Sequence, residues 1–284
     1  MDAFPIALGL FSAVTLAAAN VAVKMGSDIL VGRAVLSCSA ALLIAPFALL
    51  VPPPDAALWA ALALAMPAHF LYQSCLVRSM SRGDLSLVFP VMRGAAPLMS
   101  AAAAFLLLGE ALPPLAIVGL VIAVASVLAF ALPPRGVSLR AHPDKAALGW
   151  ALGTAVGVAL YSVADARGVR MAANPFTFII WLFLVDWIMI TIAATMLRRR
   201  ALIEVVRAKW RYGVAAGALS ILSFGAALWA FSMMEVARVS ALRETAVVFA
   251  AILGAHMLKE GFGRRRIVAA GALAAGLVLM QFGR

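Results

Sequence analysis

Ten apolar stretches, separated by charged or proline-rich residues, run through the 284-residue chain. Each is close in length to the roughly 20 residues that an α-helix needs to cross the hydrocarbon core of a membrane. The pattern therefore predicts ten transmembrane helices, called segments 1 to 10 in chain order. Their predicted bounds are 4–23, 29–50, 57–77, 85–108, 114–132, 147–165, 176–197, 213–233, 240–258 and 267–283. Only short connections remain, so the pattern leaves no room for a separate soluble domain.

Composition agrees with a membrane protein. Hydrophobic residues make up 65% of the chain, charged residues 12%, and the mean hydropathy is +1.06. Soluble domains usually carry about 25% charged residues. A water-soluble fold could not bury this much apolar surface, so we exclude one.

The net charge of +11 would suggest nucleic-acid binding in a soluble chain, but here the basic residues lie between the apolar segments. The connections after segments 1, 3, 5, 7 and 9 contain sixteen Lys and Arg, and the opposite side contains four. Positively charged loops stay in the cytoplasm. We therefore predict a multi-pass protein of the bacterial inner membrane with both termini in the periplasm.

The two halves of the chain resemble each other at an offset of 150 residues. The aligned identities are Arg93 with Arg243, Ala96 with Ala246, Ala101 with Ala251, Leu108 with Leu258 and Glu110 with Glu260. The paired Arg and Glu are rare residue types in such apolar helices and carry the argument. Five helices per half is an odd number, so the second copy is inverted, and the substrate site is expected at the interface near the midplane. The predicted halves are 1–133 and 147–284, joined by a loop at 134–146.

A family resemblance accompanies this repeat. The stretch from Gly83 through Pro97 to Glu110, with its second copy from Arg243 to Glu260, resembles the EamA-type repeat of the drug/metabolite transporter superfamily. Within that superfamily the chain looks most like the ten-helix amino-acid exporters, including the aromatic amino acid exporter group. The resemblance implies two inverted five-helix repeats around a central cavity. Segments 3, 4, 8 and 9 would line it, segments 1, 2, 6 and 7 would flank it, and segments 5 and 10 would be peripheral.

One departure limits the resemblance. The four-helix multidrug pumps of the superfamily couple protons through a glutamate in the first helix, but segment 1 contains no acidic residue. That mechanism cannot be transferred to this chain.

Segment 3 contains the clearest group of candidate binding residues. His69, Tyr72 and Gln73 are spaced i, i+3 and i+4, so they lie on one helical face. Polar groups inside hydrocarbon are expensive and usually face a cavity or a partner. We predict that the three side chains bind substrate; alternatively, they bond neighbouring helices without meeting it.

Arg93 and Arg243 occupy matching positions in segments 4 and 9. Either guanidinium could bind a substrate carboxylate or anchor a gate. Since charges inside membranes usually pair, each could instead be neutralised by an acid. Glu244, beside Arg243, is one candidate coupling acid.

Asp186 lies in the middle of segment 7 and is the leading candidate for proton coupling, since an unpaired carboxylate in hydrocarbon is driven towards its protonated form. The alternative is a fixed pair with Arg33 or with a repeat arginine. Tyr161 in segment 6 and Trp229 in segment 8 suit stacking against a substrate. Both could equally serve packing or interfacial anchoring.

Three further patterns concern the helices themselves. Gly149, Gly153 and Gly157 form a four-residue stripe that allows close approach of another helix. Proline residues within segment 4 favour kinks. Glu110 follows segment 4, where it could serve a gate or cap a loop.

These features together favour an alternating-access exporter of amino acids and related small metabolites. Within the transporter class, cationic drugs and nucleotide-sugar-like metabolites are alternative substrates, and a passive channel is the alternative from another class. Catalysis has little support, because the three histidines are scattered and no HExxH or GxSxG motif occurs. We expect a monomer without cofactor or metal, whose partners are a small-molecule substrate and the lipid bilayer rather than nucleic acid.

Overall fold

Every regular element in the described part of the chain is a helix. The computed structural model describes residues 3–24, 28–82, 85–131, 145–246, 248–249 and 264–283. The α-helices in these ranges are α1 (Ala3–Lys24), α2 (Ile29–Ile44), α3 (Ala56–Arg82), α4 (Leu85–Leu108), α5 (Pro114–Ala131), α6 (Lys145–Met171), α7 (Pro175–Phe231), α8 (Val236–Arg243) and α9 (Arg264–Phe282). A 3-10 helix, Ala45–Leu50, continues α2.

Five of these helical regions are long and apolar enough to cross a membrane. They are Ile29–Leu50, Ala56–Arg82, Val91–Leu108, Lys145–Met171 and Pro175–Phe231. Shorter apolar helices lie at Ala3–Ala19, Pro114–Ala129 and Ile267–Phe282. The predicted all-helical architecture with membrane-spanning helices is confirmed for the described residues.

Helix α7 contains segments 7 and 8 together with the basic connection between them. Its backbone leaves the helical region at Arg198 (φ −141°, ψ 34°) and at Lys209 (φ −132°, ψ 22°), which divides it into stretches 175–197, 199–208 and 210–231. The middle stretch contains Ala, Leu, Glu and Arg and lacks Gly and Pro. These residue types favour helix, so the basic connection is itself helical.

Two other helix ends differ from the prediction. Helix α6 continues to Met171 instead of ending near 165. Helix α8 begins at Val236 rather than near 240, and residues 250–258 of segment 9 lie outside the described residues. The predicted break at Asn174 and Pro175 is confirmed: the Asn174 side chain accepts a hydrogen bond from the Phe176 amide, and Pro175 is the first residue of α7.

The helices pack mainly in pairs: α2 and α1 against α7, α3 against α6, and α5 against α9. Large buried side chains, including Leu62, Phe178 and Phe231, form a core between α3, α6 and α7. The peripheral pair approaches closely at Gly276, where an added Cβ would lie 2.8 Å from the amide nitrogen of Ala123.

The glycine stripe of α6 faces α3 at two of its three positions. A Cβ at Gly157 would lie 2.7 Å from the Tyr72 Cα, whereas one at Gly153 would lie 3.0 Å from the Cys75 Sγ. A Cβ at Gly149 would meet no atom within 4 Å. Close backbone contact between α3 and α6 is therefore centred on Gly157 and Tyr72.

Candidate functional site

A cavity lies between α1, α2, α3, α6, α7 and α8. Its wall combines ionisable side chains, hydroxyl groups and aromatic rings. The ionisable and aromatic residues of the lining are Arg33, His69, Tyr72, Tyr161, Phe183, Asp186, Phe224 and Arg243. The described side chains of α4 do not contribute to this lining. Segments 3, 8 and 9 contribute to the lining as expected, through α3, the C-terminal stretch of α7 and α8. Segments 1, 2, 6 and 7, which were expected only to flank the cavity, also contribute.

His69 is held between two carboxylates from different helices. Its Nε2 lies 3.0 Å from Asp165 Oδ2 and 3.2 Å from Oδ1, and its Nδ1 lies 3.4 Å from Asp186 Oδ1. Asp165 belongs to α6 and is 0% exposed, whereas the Asp186 side chain on α7 is 20% exposed. The imidazole thus joins a fully buried acid to one that faces the cavity.

Gln73 is the second contact of Asp186. Its Nε2 donates to Oδ1 at 3.2 Å and to Oδ2 at 3.3 Å. Because His69 and Gln73 are one helical turn apart on α3, a single face of that helix holds the Asp186 carboxylate. Among the described residues, the polar contacts of Asp186 are with these two side chains rather than with Arg33.

An aromatic group packs around His69. The Tyr161 ring stacks on the imidazole with centroids 4.7 Å apart and planes 23° apart. Phe224 approaches the imidazole edge-on at 5.5 Å, and Tyr72 meets Tyr161 at 5.2 Å. These contacts restrict the ring to one orientation between its carboxylates.

Two arginines lie against the ends of this aromatic group. The Arg33 guanidinium lies 5.5 Å from the Tyr72 ring centroid, and that of Arg243 lies 5.3 Å from the Phe224 centroid. Both distances suit cation–π contact. Neither guanidinium lies within ion-pair distance of an acid in the described part of the chain, and the Nε of each is buried without a hydrogen-bond partner. Positive charge is therefore available at the cavity wall.

Arg93 and Glu244 meet each other across the two halves of the chain. Arg93 Nη1 donates to Glu244 Oε1 at 3.4 Å. Arg93 is therefore paired with an acid, which is the alternative to substrate binding given above for this residue. Glu244 and Arg243 point to different neighbours, as adjacent residues of a helix do.

The structure brings several predicted residues together. His69, Tyr72, Tyr161, Asp186 and Arg243 line the cavity. Gln73 is buried beside them. Trp229 lies apart and packs against Phe4 and Phe176, with ring centroids 5.0 Å away in each case. The substrate and coupling roles of these residues remain predictions.

Asp165 was not among the residues predicted from the sequence, because segment 6 was expected to end there. The longer α6 places it two turns beyond Gly157 and one turn beyond Tyr161, on the face that meets α3. A signal for it exists in the sequence: the four-residue spacing of the glycine stripe continues through Tyr161 to Asp165. The sequence suggested Arg33 only as an ion-pair partner of Asp186, whereas in the structure it lines the cavity.

A second polar cluster joins helix ends at one side of the bundle. Gly109, at φ 70°, ends α4 and directs Glu110 to α8, where Glu110 Oε2 accepts a hydrogen bond from the Val236 amide at 2.8 Å. Arg170 contacts Glu110 Oε1 at 2.5 Å and donates to the carbonyls of Phe231 at 2.8 Å and Met234 at 2.9 Å. Glu110 therefore caps α8, as the capping interpretation predicted.

Comparison with known proteins finds a family similarity in the second half of the chain. Residues 145–282 match the EamA-like transporter family, so the chain carries an EamA-like domain, in support of the drug/metabolite transporter superfamily. No curated protein matches the chain. Among solved structures 27 chains match, and one crystal structure has a TM-score of 0.75 at 17% sequence identity, covering 97% of this chain and 94% of the other. That similarity concerns the fold alone.

The chain therefore combines helices long and apolar enough to cross a membrane several times with a region that is similar to a family of small-molecule transporters. Proteins of this family are typically not enzymes.

Proposed function

We propose that this protein is an alternating-access transporter that exports amino acids and related small metabolites from the cytoplasm. The observation that carries the proposal is the cavity wall, which offers to one bound molecule a carboxylate, aromatic rings and two guanidinium groups that have no ion-pair partner among the described residues. An amino acid carries the complementary groups. Its carboxylate would bind Arg243 or Arg33, its ammonium group Asp186, and its side chain the rings of Tyr72 and Phe224.

The distribution of charge supports a zwitterion over the other substrates. A cationic drug would meet Arg33 and Arg243 beside Asp186, and the two guanidinium groups would repel it. A nucleotide-sugar-like metabolite carries several negative charges and would be repelled by the same carboxylate. A passive channel differs from both in its kinetics, because its flux does not saturate.

Alternating access is supported by the polar cluster at one end of the bundle. The Glu110–Arg170 cluster ties together the ends of α4, α6 and α7 and the start of α8, beside the first residues of α1. The cavity lining begins deeper, for example at Leu16 of α1. We infer that the two inverted halves, 1–133 and 147–284, rock against each other, and that the Glu110–Arg170 cluster closes the periplasmic end in this conformation.

Counterflow in proteoliposomes tests the transport proposal. Vesicles loaded with unlabelled amino acid should take up the same radiolabelled amino acid, and the uptake should saturate. Arg243→Gln and Asp186→Asn should raise KM at least about tenfold, because each loses a charge-assisted contact worth roughly 1.5–3 kcal/mol. Tyr72→Ala should also weaken binding.

Arg167→Gln is the matched control, since Arg167 is an exposed arginine of α6 outside the cavity lining. Its KM should equal that of the wild type. Absence of counterflow for every amino acid tested would refute the proposal, and flux that rises linearly with concentration would favour a channel.

The orientation can be tested separately. We infer that the protein is a monomer of the bacterial inner membrane with both termini in the periplasm, from the sixteen-to-four distribution of Lys and Arg. Alkaline phosphatase fused after Arg284 should be active, because this enzyme folds only in the periplasm. A fluorescent protein that matures only in the cytoplasm is the control, and fluorescence from that fusion would reverse the orientation.

A further inference from the structure

We propose that Asp165, His69 and Asp186 form a proton-binding site, here called the proton cluster, which releases its proton when the ammonium group of a substrate binds Asp186. This inference rests on the proposed transport function and adds to it the ion that drives export.

The imidazole lies within hydrogen-bond distance of one carboxylate and within ion-pair distance of a second, an arrangement that favours an additional proton on the cluster. Both ring nitrogens of His69 face carboxylate oxygens, Nε2 at 3.0 Å from Asp165 and Nδ1 at 3.4 Å from Asp186. A neutral imidazole has one N–H group, so one of the two contacts would place two lone pairs against each other. The arrangement is satisfied when an additional proton lies on the imidazole or on one of the carboxyl groups.

The burial of the three groups gives them different roles. Asp165 is 0% exposed and the His69 side chain 7%, so neither exchanges freely with water. Asp186 is 20% exposed and lines the cavity, where Gln73 fixes it through hydrogen bonds to both oxygens. Asp186 is therefore the group through which the proton and the substrate reach the cluster, and Asp165 is a positioning residue that holds His69.

The charges around the proton cluster determine the net charge of the cavity with and without the additional proton. Arg33 of α2 and Arg243 of α8 balance the two carboxylates, while Arg93 of α4 and Glu244 balance each other. In the part of the chain that the structure describes, the other titratable groups that face the cluster are the tyrosines Tyr72 and Tyr161, and α1 contributes Leu16 and Ala19 to the lining. The cavity is therefore neutral when His69 is neutral and gains one positive charge when the cluster binds a proton.

The proton and the substrate compete because both require the same oxygen of Asp186, which lies 3.4 Å from His69 Nδ1. A zwitterion adds no net charge, but its ammonium group occupies the carboxylate oxygen that faces His69 Nδ1. The proton then passes from the cluster to water in the cavity, and it returns when the substrate leaves. One proton therefore enters the cell for each amino acid exported.

A pH gradient across proteoliposomes tests this coupling. The probe is an amino acid that shows counterflow, with the membrane potential clamped at zero by potassium and valinomycin. An interior one pH unit more acidic should drive up to about tenfold accumulation by the wild type in one-for-one exchange. A pH indicator in weakly buffered detergent solution should report about one proton released per bound amino acid.

Asp165→Asn separates coupling from transport. The amide oxygen can still accept a hydrogen bond from His69 Nε2, but it no longer supports the additional proton. Counterflow should persist, whereas accumulation and proton release should be lost. Asp165→Ser, whose hydroxyl oxygen can also accept a hydrogen bond from His69 Nε2, provides the same test if the first variant does not fold, and Arg167→Gln should behave as the wild type.

The outcomes distinguish the two proposals. Counterflow by the wild type without proton release or gradient-driven accumulation would overturn the proton cluster and leave the transport proposal standing. Unchanged proton release by a folded Asp165→Asn variant would also overturn it. If no amino acid shows counterflow, the transport proposal fails, and infrared titration still tests the cluster. A carboxyl or imidazolium band that titrates in the wild type and is missing in Asp165→Asn supports it, and the absence of both bands refutes it.

Discussion

Replacing Gly157 with alanine should force α3 and α6 apart at the level of the cavity. The added Cβ would lie 2.7 Å from the Tyr72 Cα and 2.8 Å from its amide nitrogen. Both are backbone atoms, so no side-chain rotation relieves the clash. Carbon atoms prefer separations of about 3.5–4.0 Å, so the two helices must move apart by about 0.8 Å.

Overpacking of this kind costs roughly 1–3 kcal/mol. Alanine also gains up to about 1 kcal/mol over glycine in a helix, which opposes that cost. Gly149→Ala has the same helical gain without the clash, because its Cβ meets no atom within 4 Å. The difference between the two variants therefore isolates the contact with α3.

Unfolding in mixed micelles with increasing dodecyl sulfate, followed by tryptophan fluorescence, measures the difference. Gly149→Ala should be at least as stable as the wild type and Gly157→Ala less stable than Gly149→Ala by about 1–3 kcal/mol. Gly153→Ala should lie between them, because its close neighbour is the Sγ of Cys75, at 3.0 Å. Equal stability of Gly157→Ala and Gly149→Ala would refute the proposed backbone contact.

The remaining predictions concern residues around the cavity and at the helix ends. Arg93→Gln and Glu244→Gln should each lower the free energy of unfolding by roughly 1–3 kcal/mol. The double variant should lose less than the sum of the two single losses, because both remove the same contact. Additive losses in the same unfolding assay would show that the two residues are not coupled. Glu110→Ala should cost about 1 kcal/mol in thermal unfolding, because the Val236 amide loses its acceptor, and Glu110→Gln should cost less. Trp229→Leu should leave KM for counterflow unchanged, because its ring packs outside the cavity; a raised KM would contradict that placement.

The helices follow largely from local sequence. Apolar stretches of sufficient length must form helices in a membrane, because their backbone polar groups find no water there. Between segments 7 and 8 the predicted interruption is observed as non-helical backbone at Arg198 and Lys209, but the basic connection between these two residues is itself helical. Basic residues mark the membrane surface but do not disfavour helix.

The polar face of α3 could also be predicted. The i, i+3 and i+4 spacing correctly grouped His69 with Tyr72 and Gln73 on one side of α3. Asp165 was missed because it stood at the predicted end of its segment, where an acid usually meets water. Helix ends are the least certain part of a sequence prediction, and an error of six residues moved this acid from the membrane surface into the bundle.

Which polar groups meet was decided by tertiary structure. His69 contacts an acid 96 residues away, and Gln73 contacts one 113 residues away. Periodicity determines the direction of a side chain within its own helix, but the depth, rotation and closeness of neighbouring helices determine its partners. Membrane class and helix faces are therefore local properties of this chain, because each helix satisfies its own backbone hydrogen bonds. The pairing of His69 with two acids, and the two arginines left available at the cavity, depend on how those helices pack.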